Sequence, residues 1–300
     1  MATDYLYPKS VGEALECLEA HDGRARVIAG GTDVLPDLRK GKIAPDCLVD
    51  LTRIPDLSTI EVAGRAVTVG AGVTFAVIRE HPYLNARVHA LVEAARSVGA
   101  AAIQNAATWV GNIVQGMPAA DGAIVAIALD AEAHVVDREG AWWQPVESLF
   151  DRPGMSAVDP TRQIVTAIRF PRPESRTGTA WQRVGRRSAL VLPILNCAVQ
   201  VWLAHDGCSD AGHGQTTERI ARASIALGPV APRPQRMRQA ESFLAGRVST
   251  AEAVARAADL AAGEAQPRTS VMRASRDYRL KIIPVLVTEA LNTALDRART

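Results

Sequence analysis

Residues 26–36 read RVIAGGTDVLP. The run RVIA suits a short buried strand, and it ends in two adjacent glycines followed by Thr32 and Asp33. Backbone N–H groups can surround a phosphate only where no Cβ blocks the approach, and a strand ending in Gly-Gly offers that access. The Thr32 hydroxyl can add a donor, whereas Asp33 is acceptor-only and suits a sugar hydroxyl or the orientation of the loop. A plain tight turn after a strand accounts for the same letters, so both readings stand. No Gly-Lys-Ser/Thr follows, which excludes a P-loop, and the G-x-G-x-x-G of dinucleotide folds is absent.

A second stretch, AATWVGNIVQGMPAAD at 106–121, again offers a small hydroxyl, a glycine and an amide in Thr108, Gly111 and Asn112. Asp121 stands just before an apolar helix pattern. Two glycine-containing loops about eighty residues apart can face one another across a diphosphate. Alternatively, Asn112 caps a turn and Asp121 caps a helix. The segment 101–121 shows neither helical nor strand periodicity and reads as a loop.

Around these stretches the chain alternates strands and helices. A helix is expected from Val11, with Ser10 and Glu13 as a capping box. A strand follows in DCLVDLTRI, and another in AVTVGAGVTFAVI that runs into a helix. LNARVHALVEAARSVG carries a helical stripe ended by Gly99. GAIVAIALDA is a short apolar helix, AHVVDREGAWWQPV a hairpin turning at 137–140, and RQIVTAIRFP a strand. PRPESRTG at 171–178 breaks both periodicities and reads as a linker. Beyond it come strands near 180–187, 196–204 and 218–227, two helices, and a terminal helix from about Ser275 interrupted or bent at Pro284. Strands first and helices later indicate a separate α+β unit.

The composition fits a two-domain globular chain: 300 residues, 48% hydrophobic and 22% charged. With Lys+Arg 34 against Asp+Glu 32 and the charges interspersed, nothing resembles a nucleic-acid stripe. Cys17, Cys47, Cys197 and Cys208 lack the spacing of a zinc or iron–sulfur site and read as reduced, which points to a cytoplasmic protein. No secretion signal or bilayer-length apolar run is present.

Taken in order, RVIAGGTDVLPDLRKG, LVDLTRIPDL, ATWVGNIVQGMPAAD, RQIVTAIRFP, WQRVGRRSALVLPILNCAV and ARASIALGPVAPRPQRMRQAESFLAG resemble the FAD-binding medium subunit of the molybdenum hydroxylases. That family includes xanthine dehydrogenase, carbon monoxide dehydrogenase and 4-hydroxybenzoyl-CoA reductase. The resemblance implies an α+β fold. Residues 1–173 would form an FAD-binding domain of the vanillyl-alcohol-oxidase-like (PCMH) type in two α/β subdomains. Residues 179–300 would form a domain of a three-stranded sheet with helices. It implies non-covalent FAD held by Val27, Ile28, Ala29, Gly30, Gly31, Thr32, Asp33 and Val34, and by Ala107, Thr108, Gly111 and Asn112. Asp121 would lie toward the adenosine half, Ile164 and Val165 against the flavin ring, and Gln182 near the cofactor. No catalytic side chain is implied, because the chemistry belongs to the flavin. A molybdenum-cofactor large subunit and an iron–sulfur small subunit would be the partners, with NAD, a quinone or another acceptor taking the electrons.

The second motif departs from the family's Thr-x-Gly-Gly-Asn: Val110 replaces the first glycine and should cost fit at a tight phosphate loop. Gln104 stands where the family often has Arg. The first loop looks most like the hydroxybenzoyl-CoA reductase branch, yet no cysteine-rich insertion follows Asn112, so that branch's extra cluster has no place here. Two other functions stay open. One is a stand-alone flavin oxidoreductase; the other is a scaffold subunit that has lost FAD, a reading Val110 supports. His134, His205 and His213 read as structural or loop residues. Arg186 and Arg187 suit a solvated pair, a cofactor rim or a partner contact. Trp142 and Trp143 would face opposite sides of a strand.

Overall fold

The computed structural model describes residues 4–187, 190–204 and 218–300. His205, Cys208 and His213 lie outside the described residues. The opening segment builds a three-stranded parallel sheet in the order β1-β3-β2 from β1 (Asp4–Leu6), β2 (Ala25–Ile28) and β3 (Cys47–Asp50). Helix α1 (Val11–Ala20) packs on it through Ala14, Leu15 and Leu18, and the Ser10 hydroxyl accepts from the Glu13 amide as the capping pattern requires. A short helix α2 (Val34–Arg39), not apparent from periodicity, follows β2 directly.

A second, antiparallel sheet runs β4-β5-β10-β6-β7, from β4 (Ile60–Ala63), β5 (Ala66–Gly70), β6 (Glu132–Val136), β7 (Ala141–Pro145) and β10 (Ile164–Pro171). A small hairpin, β8 (Phe150–Arg152) with β9 (Met155–Ser156), sits between. Six helices separate β5 from β6: α3 (Phe75–Glu80), α4 (Pro82–Arg87), α5 (His89–Ser97), α6 (Ala101–Ala106), α7 (Trp109–Val114) and α8 (Asp121–Ala128). The helical stripe read as one element is two, broken at Val88, while Gly99 does sit just past the second at φ +51. The stretch 101–121, expected to be a loop, holds α6 and α7. Each is a six-residue helix, too short for a periodic stripe to show.

The linker shrinks to 172–176, because Pro171 ends β10 and Thr177 begins the next strand. The C-terminal sheet has four strands rather than three: β11 (Thr177–Val184), β12 (Leu195–Leu203), β13 (Ile220–Gly228) and the two-residue β14 (Gln235–Arg236). Helices α9 (Arg238–Leu244), α10 (Ala251–Glu264) and α11 (Arg276–Arg299) complete it. Pro284 lies inside α11 without interrupting it. Thr250 and Ser275 cap α10 and α11 by accepting from the amides three residues on.

Two hydrophobic cores result, one drawn mainly from residues before β11 and one from the C-terminal sheet and its helices. Polar bonds cross between them. Arg236, on β14, reaches the Ile127 carbonyl and Asp130 at the end of α8, and pairs at 2.5 Å with Glu241. Arg297 on α11 binds Glu93 on α5, whose other bond is to the Trp181 amide at 3.0 Å. Among the described residues no disulfide forms, and Cys47 and Cys197 are buried thiols.

Candidate functional site

Strand β2 buries Ala25 and Ile28 and pairs Ile28 with Asp50, which delivers the chain to Ala29 at the edge of the sheet. Val27 is tied there by its amide to the Pro160 carbonyl at 3.0 Å. The two glycines then do different things. A Cβ on Gly30 would stand 1.9 Å from the Ala106 carbonyl oxygen and 3.0 Å from the Ala107 Cα, so this glycine is the contact surface between the two loops. Gly31 has φ +69, in the left-handed region where side chains are strained. Among the described residues, the amides of Gly30, Gly31, Thr32, Asp33 and Val34 donate to no protein group. Five successive N–H groups without protein acceptors, around a positive-φ glycine, are donors available to an anion. Asp33 precedes α2 without capping it. Loss of solvation raises its carboxyl, and the Asp37 charge adds to that.

The second loop is held from behind. Thr108 bridges Thr74, the Phe75 amide donates to the Ala107 carbonyl at 3.0 Å, and the Trp109 amide to Val73 at 3.2 Å. The Ala71 amide in turn donates to the Thr166 carbonyl at 2.9 Å, linking this segment to β10. Thr108 is the N-cap of α7: its hydroxyl oxygen accepts from the Gly111 amide at 3.0 Å, leaving its own hydrogen free for another acceptor. Asn112 Oδ1 accepts from the Gly122 amide at 3.0 Å, and the Trp109 indole donates to the Gly122 carbonyl at 2.9 Å. The loop's shape is thus fixed by its own side chains. Gly111 is needed because a Cβ would approach the Thr108 hydroxyl to 2.8 Å.

Val110 does not intrude on this loop. It is in the first turn of α7 with its side chain in the N-terminal core, 3% exposed, so the expected steric cost at the phosphate loop does not arise. Gln104 is also a structural residue: its amide donates to the Arg96 and Val98 carbonyls.

Asp121 is the first residue of α8, not its cap, which is Ala120. Its carboxylate accepts from Asn196 on β12 at 2.7 Å and from Ser97 at 3.2 Å, with the Arg183 Nε 3.8 Å away. Burial raises its pKa, and Arg183, Asn196 and Ser97 oppose the shift. Beside it opens a cleft of 640 Å³ lined by Ser97, Trp181, Gln182, Arg183, Gly185 and Arg187. The Trp181 Nε1 and Arg183 Nε are buried there without partners. A larger hollow of 730 Å³ lies on the C-terminal unit around α10, away from both loops. Gln182 therefore groups with Asp121, while Ile164 and Val165 are core residues at the start of β10. Ser97, Arg183 and Asn196 join the site only through the fold, and no local pattern in the sequence marks them.

The remaining candidates are structural. His134 sits 2.7 Å from the Thr166 hydroxyl and packs on Trp143. Trp142 faces outward, 37% exposed. Arg186 and Arg187 bind the backbone carbonyls of Met272 and Leu190. Among the described residues no group of side chains could hold a metal, and no helix is long and apolar enough to cross a membrane.

Known proteins resemble this chain over nearly its whole length. Residues 1–173 match the family described as the FAD binding domain in molybdopterin dehydrogenase, and residues 180–294 the carbon monoxide dehydrogenase flavoprotein C-terminal domain. The chain is 30% identical to the carbon monoxide dehydrogenase medium chain of Hydrogenophaga pseudoflava, over 98% of this chain and 97% of that one. It is 26% identical to a putative xanthine dehydrogenase FAD-binding subunit of Escherichia coli, over 96% and 94%. Among solved structures, carbon monoxide dehydrogenase of H. pseudoflava superposes with TM-score 0.88 at 29% identity, covering 99% and 98% of the two chains. Quinoline 2-oxidoreductase of Pseudomonas putida gives TM-score 0.87 at 25% identity, covering 100% and 99%.

Proposed function

The chain belongs to the family of FAD-binding subunits of the molybdenum hydroxylases, and we propose that it is the electron-transfer subunit of such a complex. The unbonded amides of Gly30–Val34, on a loop whose Gly30 is set against Ala106 and Ala107, carry this reading. They supply what a dinucleotide diphosphate needs, several successive N–H donors without protein acceptors. Thr32 and the Thr108 hydroxyl add side-chain donors. Gln182, in the cleft beside Asp121, offers a further donor.

When bound, the flavin supplies two-electron redox chemistry, between iron–sulfur clusters on a partner chain and an external acceptor such as NAD or a quinone. The chain's own residues bind and orient; none acts as a general acid or base. Substrate selection falls to the molybdenum subunit. With Val110 buried in the core, the feature that favoured an FAD-less scaffold has lost its force.

The test is an absorption spectrum of the purified chain before and after incubation with FAD and removal of free ligand. Bands near about 370 and 450 nm, released by acid precipitation, are the expected result. A chain that yields no acid-released flavin, alone or when co-expressed with its iron–sulfur and molybdenum partners, overturns the reading.

A further inference from the structure

Between α10 and α11 the chain makes a tight turn whose tip is unusually apolar. Ser270 and Ala274 pair across it, and the Arg273 amide donates to the Ser270 carbonyl at 3.1 Å. At the tip Val271 is 102% exposed and Met272 79%. A rigid turn that holds two large apolar side chains wholly in water gains nothing for the isolated chain. A second segment is tied to it: Arg186 donates to the Met272 carbonyl at 3.1 Å, and the neighbouring Leu190 and Leu192 are also exposed.

The surroundings are strongly basic. Between 266 and 281 stand Arg268, Arg273, Arg276, Arg279 and Lys281 against Asp277 alone. Among the described residues none of these arginines, nor Arg186 or Arg187, makes an ion pair. Elsewhere several arginines are ion-paired, as at Arg236, Arg238, Arg297 and Arg299, while among the described residues others, such as Arg39, Arg53 and Arg256, are not; what sets this region apart is its nearly unopposed positive charge. Arg279 is 2% exposed, donates once to the Pro229 carbonyl, and keeps a buried Nε with no partner. Burial and the adjacent charges of Arg273 and Arg268 press its pKa down. Like charges crowded beside a buried guanidinium are costly unless acids arrive from outside.

We propose that the 266–276 turn and the arginines around it are the docking surface for a protein partner whose matching face has an acidic rim around an apolar pocket, Val271 and Met272 entering the pocket. An apolar centre within a charged rim is the arrangement of a specific protein interface. Arg187 also lines the 640 Å³ cleft, so a partner seated here covers the edge of that cleft. The proposal rests on the reading that the chain works in a multi-chain complex, and the partner is one of the complex's other chains.

The test co-expresses the full chain with the iron–sulfur and molybdenum chains of its complex, captures it by a tag and washes with rising salt. Two double variants are compared with wild type: Val271→Ser with Met272→Ser, and Arg268→Glu with Arg276→Glu. Each is expected to weaken capture by roughly tenfold or more, with thermal midpoint and flavin content unchanged. The conservative Arg268→Lys with Arg276→Lys restores capture but leaves it more salt-sensitive than wild type. Both double variants holding the partners as tightly as wild type overturns the surface. So does capture of wild type, lost in the variants, by phosphatidylglycerol vesicles and not by neutral ones, since a lipid surface is then the occupant. A flavin-containing wild type that captures neither chain overturns the complex reading and the surface together. A complex that assembles without flavin sinks only the cofactor reading.

Discussion

The two glycine-containing loops carry similar letters and do opposite work. The first, at 29–34, leaves its amides unspent and owes its shape to Gly31 in the left-handed region. The second, at 107–112, spends its polar groups on itself: Thr108 on Gly111, Asn112 on Gly122, with the Trp109 indole also on Gly122. One loop is a donor surface, and the other is a brace that holds that surface in place through the Gly30–Ala106 contact. A small hydroxyl, a glycine and an amide in sequence therefore do not by themselves say which role a loop has. What distinguishes the roles is whether the donors already have partners.

The contact between the loops is the place to break this comparison. Gly30→Ala sets a methyl 1.9 Å from the Ala106 oxygen, a backbone atom that cannot rotate away. A loss of about 3 kcal/mol or more in a urea titration is expected, together with loss of retained flavin. Normal stability and a yellow protein would show that the loops do not touch. Next in size is Asn112→Ala, which leaves the buried Gly122 amide without an acceptor. It should cost about 2 kcal/mol. Flavin binding should weaken only as α7 and α8 loosen, so a stabilising osmolyte is expected to recover it.

Thr32→Val tests the other half of the comparison. The Thr32 hydroxyl bonds only to the neighbouring Asp33 carboxylate, in the exposed part of the loop, so stability should move by less than about 1 kcal/mol. Flavin affinity, read by fluorescence titration, should fall about five- to tenfold. An equal fall in stability would make the first loop a brace as well.

The smallest effect is expected at Asp121. Its burial raises the carboxyl above the ordinary 3.8. From 3.8 up to that raised value the folded chain keeps a proton that the unfolded chain has released. The contribution is therefore fully present below 3.8 and is lost as pH rises through the folded value. Asp121→Asn keeps an oxygen for Asn196 and carries no charge. Its stability, measured across that window, should decline less with rising pH than that of wild type. Parallel profiles would show that the carboxylate is ionised at no cost in the fold.

Much of the local structure was legible. Ser10 marked a helix start, Ser275 the approximate start of the terminal helix, Gly99 a helix end, and 137–140 a hairpin turn, because each signal acts within four residues of the bond it makes. Elements with too few residues to show a period were not legible: α2, α6, α7 and the two-residue β14. Val110 was misread for a related reason. Its place in the motif suggested a phosphate contact, but a helical turn carried its side chain into the core.

The residue sequence alone settled where much of the chain caps and turns, and which family it resembles. These depend on the chemistry of single residues and near neighbours. Only the tertiary structure decided that Gly30 meets Ala106, that Asp121 is held by Ser97 and Asn196, and that the amides of 30–34 are free while the second loop's side chains are engaged. Those partners lie 24 to 75 residues from Asp121 along the chain. A hydrogen bond over that separation exists only once the sheets have brought its ends together.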